Sequence, residues 1–161
     1  MGSKTGNWEG LRKQARTLEN EIDTKLVSFS KLGTNYARSS KTDSDKQPLL
    51  GGAESNIESL EKDLESLLTT LSSINDEMAG YAAGAGDGRS AAIHHTLQRH
   101  SEILQDYRQE FNKTSSNIAS MIEREELMSS VSDISQYRKE SGGTKRNQKI
   151  DTLQRELEHT R

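Results

Sequence analysis

The sequence predicts an all-α fold: an elongated up-down-up three-helix bundle with left-handed packing, followed by a C-terminal segment that is extended or disordered. Three observations predict it. Apolar residues recur at alternating steps of three and four in three long stretches, the spacing that places them on one face of a helix. The stretches are parted by runs rich in Gly, Ser, Thr and Asn, with the only proline at Pro48. At 161 residues, 30% hydrophobic, 4% aromatic and 29% charged, the chain can fill a seam between helices but not the deep core of a large enzyme.

Residues 1–6 are small and polar and read as a flexible N-terminus. The first helix is expected over about 7–32. Asn7 can accept from the free N–H groups of its first turn, and Trp8, Leu11, Ala15, Leu18, Ile22, Leu26, Phe29 and Leu32 form its stripe. Trp8 holds a stripe position and is therefore expected in the core. Glu9, Arg12, Lys13, Arg16, Glu19, Glu21 and Lys25 are expected to point elsewhere. Gly33 suits a left-handed cap, so the helix is expected to end there. Residues 33–54 then read as a linker. Within it, Asp45 precedes Leu49 and Leu50 by four and five residues, the form of an acidic dileucine sorting signal. The alternative is that the two leucines anchor the linker on the bundle.

Ser55 and Glu58 have the spacing of a capping box, and a second helix is expected over about 55–81. Ile57, Leu64, Leu71 and Met78 repeat at one heptad position, Leu60, Leu67, Ile74 and Tyr81 at another, and Leu68 widens the stripe. Glycines at 84, 86 and 88 make 82–89 the second linker. The third helix is expected over about 90–140, with Ile93, Leu97, His100, Leu104, Tyr107, Phe111, Thr114, Ile118 and Met121 on its stripe and Met128 after a charged break at Glu125. Ser141, Gly142 and Gly143 are expected to stop it. Residues 141–161 read as a linker followed by the start of an unfinished heptad segment at Ile150, Leu153 and Leu157, too short to be ordered alone. On this reading residues 7–140 are one domain.

A formal net charge of −3 gives no electrostatic footprint for nucleic acid. The absence of cysteine rules out disulfides and thiolate chemistry. No apolar run approaches the roughly 20 residues that span a bilayer, and no signal peptide opens the chain, so it is expected to be soluble as it stands. His94, His95 and His100 lack the i, i+4 spacing of a zinc pair, and no glycine-rich loop follows a strand. No catalytic residue, cofactor or metal is therefore expected. His100 is expected as a satisfied core or boundary histidine.

Several blocks of residues carry a family resemblance. Asn7-Trp-Glu-Gly-Leu-Arg-Lys-Gln-Ala-Arg16, Leu18-Glu-Asn-Glu-Ile-Asp23 and Lys25-Leu-Val-Ser-Phe-Ser-Lys-Leu32 occur in order with Thr96-Leu-Gln-Arg-His100, Ile103-Leu-Gln-Asp-Tyr107, Glu110-Phe111, Lys113-Thr114 and Arg124-Glu-Glu-Leu-Met128. Together they resemble the N-terminal half of the Golgi SNAP receptor complex member 1 family, Golgi SNAREs of the Qb class, over about 7–140. Pro48-Leu49-Leu50 is similar to that family as well.

The resemblance implies an N-terminal domain of the Habc kind that regulates or recruits in ER-Golgi and intra-Golgi vesicle docking and fusion. It implies residence on the cytosolic face of Golgi and transport-vesicle membranes. The implied partners are a Golgi syntaxin and its cognate SNAREs, engaged through a SNARE motif not found in these residues, and tethering factors engaged through the bundle. Membrane association is expected only through a C-terminal anchor likewise not found here, and the chain is expected to be monomeric. Glu102, Asp106 and Arg108, off the third stripe, are the candidate partner-facing surface. The alternative reading is a free-standing coiled-coil scaffold or adaptor that pairs through the second and third stripes.

Overall fold

The computed structural model describes residues 3–42, 47–84 and 90–159, and the side chains of 7–39, 52–84, 91–142 and 149–159. Among them the chain is all helical: α1 spans Ser3–Thr42, α2 Gln47–Ala83 and α3 Ser90–His159. No described helix is long and apolar enough to cross a membrane. The chain divides into two compact units, Met1–Ala119 and Ser120–Arg161.

Within Met1–Ala119 all three helices touch. Trp8 near the start of α1 stacks on Tyr81 near the end of α2, with ring centroids 5.5 Å apart. Further along, Lys25 Nζ lies 3.2 Å from Asp63 Oδ2, and the Tyr36 hydroxyl donates to Glu54 Oε1 at 3.0 Å. Phe29 of α1 stacks on Phe111 of α3 at 5.8 Å. The core comprises Ile22, Phe29, Leu64, Leu71 and Met78, all with less than 2% of their surface exposed, ringed by Trp8, Leu26, Ile57, Leu104, Phe111 and Ile118. Burial of this kind, rather than intrinsic propensity, stabilises such helices.

α3 begins at Ser90 as expected and α2 ends within two residues of its expected limit, but α1 begins at Ser3 rather than Asn7 and the other boundaries also differ. Gly33 does not cap α1, and no described residue has a positive φ. The helix runs on because Phe29, Gly33 and Tyr36 continue its four-three spacing, and Tyr36 is 3% exposed. Gly33 is instead a notch for α3: a Cβ there would stand 2.7 Å from Ile118 Cγ1. The Ser- and Thr-rich stretches tolerate the helix because their hydroxyls turn back on it, as Thr34 Oγ1 does to the Ser30 carbonyl at 3.0 Å. Ser55 is likewise not a cap, since α2 has already begun at Gln47.

Ser120–Arg161 departs further from expectation. Gly142 does not break α3, and the segment expected to be extended or disordered is helical to His159. A glycine costs a helix about 1 kcal/mol relative to alanine. Helix formers on both sides offset that cost, and beyond the glycines Asp151 and Arg155 add a favourable i, i+4 charge spacing. Leu127, Met128, Val131, Ile134, Tyr137, Ile150, Leu153 and Leu157 are all exposed in this unit.

Two substitutions test the packing. Leu71 is fully buried, so Leu71→Ala should cost about 2–5 kcal/mol. An unchanged urea midpoint would place the seam elsewhere. Gly33→Ala should destabilise by about 1–3 kcal/mol through overpacking, although alanine is the better helix former. In an Ile118→Ala background the same change should become neutral or stabilising, and strictly additive effects in that double-mutant cycle would show that the notch does not matter.

Candidate interaction surface

The second column of the α1 stripe is not the one the leucines suggest. Leu18 and Leu32 are half-buried, whereas Glu19, Leu26 and Gly33, in step with Arg12 at seven-residue spacing, face inward. Glu19 is therefore buried at 9% exposure, and the His100 ring, 5% exposed, meets its carboxylate through Nδ1. The Tyr107 hydroxyl donates to the Glu19 backbone carbonyl at 3.1 Å. Asn75 of α2 donates from Nδ2 to the His100 carbonyl at 3.2 Å. Four side chains from three helices thus form one polar cluster in an apolar seam. His100 is the satisfied histidine that its stripe position predicts. Glu19 was missed, and its seven-residue phase with Leu26 was the signal that could have found it.

A second polar contact lies on the same side of α2. The Ser115 hydroxyl donates to the Glu61 carboxylate. Glu61 and Asn75 share a column with the buried Leu68 and Ala82, so α2 turns this column toward α3 while Tyr81 stacks on α1. The heptad reading had found the column only at Leu68. Among the described residues no group of His, Asp and Glu could hold a metal ion.

The residues proposed as partner-facing are exposed. Glu102 and Asp106 are one turn apart on α3, and Glu102 accepts from Gln98 Nε2 at 3.0 Å. Arg108 sits roughly 160° around the helix from Asp106, so the three do not form one patch. Asp106 instead lines a polar groove of about 690 Å³ with Ser30, Glu110, Lys113 and Asn117, none of which the sequence marks as partner-facing. Of the dileucine candidate, Leu49 and Leu50 fall on α2 with their side chains undescribed, and Asp45 lies outside the described residues.

A family model described as the GOSR1 N-terminal domain matches residues 6–138. The chain belongs to the Golgi SNAP receptor complex member 1 family. It is 48% identical over 171 residues to Golgi SNAP receptor complex member 1 of Pongo abelii, an alignment covering 100% of this chain and 68% of the relative. The Bos taurus protein of that name is 47% identical over 173 residues, with 100% and 68% covered. The Drosophila melanogaster protein is 49% identical over 125 residues, covering 76% of this chain and 51% of its own. No solved structure matches the chain.

The polar cluster carries a pH prediction. The Tyr107 hydroxyl is held above its ordinary value of 10.0, first by burial and then by the negative charges of Asp23 and Glu19. The folded state therefore retains this proton where the unfolded chain releases it. Stability should be fully present below about pH 10 and fall as pH rises through the folded value. Tyr107→Phe should flatten that alkaline limb, while losing about 0.5–1.5 kcal/mol at neutral pH with the hydrogen bond to Glu19. Urea titrations of both proteins across the alkaline range check it, and parallel curves would count against it.

Proposed function

We propose that this chain is the non-catalytic N-terminal regulatory and recruitment domain of a Golgi SNARE acting in ER-Golgi and intra-Golgi vesicle docking and fusion. Family membership across residues 6–138 is the observation that carries the reading. In this proposal residues 7–140 form an up-down-up three-helix bundle with left-handed packing on the cytosolic face of Golgi and transport-vesicle membranes. The order of contacts supports that topology, because Trp8 meets Tyr81, Tyr36 meets Glu54 and Phe29 meets Phe111. The bundle is the part that a tether or coat component grips, through Glu102, Asp106 and the groove that Asp106 lines on one face of α3 and through Arg108 on another. A Golgi syntaxin and its cognate SNAREs are the fusion partners of the parent protein. A sorting role for Asp45, Leu49 and Leu50 belongs to the same reading.

A second reading is a self-pairing helical scaffold. Leu127, Val131 and Ile134, exposed at four-three spacing, favour it. Light scattering separates the two, a monomer being expected from the first.

The functional test measures retention of the purified chain on Golgi-enriched membranes. Saturable retention is expected, and Glu102→Lys with Asp106→Lys and Arg108→Glu should weaken it roughly tenfold, the equivalent of about 1.4 kcal/mol. Retention unaffected by the three substitutions would remove the surface assignment. No retention of the unmodified chain would remove the recruiting role.

A further inference from the structure

The N-terminal halves of α1 and α3 enclose a cavity of about 310 Å³ with cations on both walls. Arg12 and Arg16 are one turn apart on α1, and His95 and Arg99 are one turn apart on α3, so helix geometry aims each pair at the other helix. Among the described residues, Arg16 and Arg99 have no carboxylate within ion-pair distance, and Arg12 has one, Glu9, at 3.1 Å from Nη1. The Arg12 Nε is buried and has no acceptor. The carboxylate in the lining, Glu19, is already held by His100. In a chain with a formal net charge of −3, this is a local concentration of positive charge.

We propose that this cavity between α1 and α3 binds a compact polyol carrying two or more phosphates, of the inositol phosphate class. Guanidinium forks match phosphate oxygens in pairs, which favours phosphate over an isolated carboxylate. A cavity of about 310 Å³ exceeds what a single inorganic phosphate fills and lies at the small end of ligand sites. Its remaining lining, Asn20 and Thr96, offers amide and hydroxyl groups to ligand hydroxyls. Among the described residues no Phe, Tyr or Trp lines it, which favours a polyol over a nucleobase.

The experiment titrates inositol trisphosphate into the purified chain by calorimetry, beside inorganic phosphate and a poly-glutamate peptide. Stoichiometric binding of the trisphosphate is expected, at least tenfold tighter than inorganic phosphate. Arg16→Gln with Arg99→Gln should abolish it while leaving the thermal melt unchanged, since both side chains are exposed. Arg99→Lys should retain charge attraction and lose the paired contacts, so an intermediate affinity is expected. Phosphatidylcholine vesicles with and without a polyphosphoinositide identify the source. Capture that requires the headgroup and is competed by the soluble trisphosphate assigns it to a membrane, and binding of the soluble form alone assigns it to a free metabolite. The proposal is overturned by absence of trisphosphate binding, by unchanged binding in the double variant, by equal affinity for the peptide, or by vesicle capture that ignores the headgroup.

Discussion

The packing of the three helices depends on one buried pair, Glu19 with His100. They are the two polar or charged residues buried among the described ones, and the fully buried side chains around them are apolar and far less sensitive to sliding. A slip of α1 by one heptad would bring Arg12 or Leu26 opposite His100 and leave Glu19 buried without its partner. Breaking such a pair costs about 3–5 kcal/mol, a large fraction of the stability of a domain this size. The pair need not add net stability over a leucine-leucine contact to do this. Its effect is to penalise every other register, much as a lone polar residue does in a coiled coil. Tyr107 and Asn75 extend the penalty to the backbone of α1 and α3, since each bonds to a carbonyl beside the pair.

Register fixed in this way gives Gly33 its use. Ile118 can lie across the α1 backbone only where no Cβ stands, and a shifted α3 would bring a different residue to the notch. A glycine inside a helix is a local cost, and the close approach that it allows is a tertiary gain. Local sequence rules register the first and cannot register the second.

That difference explains what was legible. The α3 stripe was read residue by residue through Ile118, because its apolar positions are large and evenly phased. On α2 the central column of Ile57, Leu64, Leu71 and Met78 was equally clear. The flanking column was not, because Glu61 and Asn75 are polar and face α3 only by virtue of partners far away in the chain. On α1 the same effect hid Glu19 behind Leu18. Helix ends were misread wherever a glycine or a capping residue lay next to a stripe that continued, as at Gly33 and Tyr36. Glu102, Asp106 and Arg108 are exposed as their off-stripe positions imply, but helical periodicity places Glu102 and Asp106 together and sets Arg108 apart.

Ser120–Arg161 obeys different physics from Met1–Ala119. Among its described residues none is buried, and two of its exposed apolar sets, Leu127, Val131 and Ile134 against Ile150, Leu153 and Leu157, have centres roughly 100° apart around the helix. No single straight helix can cover both groups. Without burial, its helicity rests on propensity and i, i+4 pairs worth about 0.2–0.5 kcal/mol each, so it opens locally far more easily than the seam around Leu71. A partner that orders this unit must supply the ordering free energy from its own contacts, which weakens affinity for a given contact area. The unit Met1–Ala119 is packed without a partner. Recognition that depends on fixed geometry, such as opposed guanidiniums on two helices, therefore belongs to the first unit, and recognition that depends on a helix being completed belongs to the second.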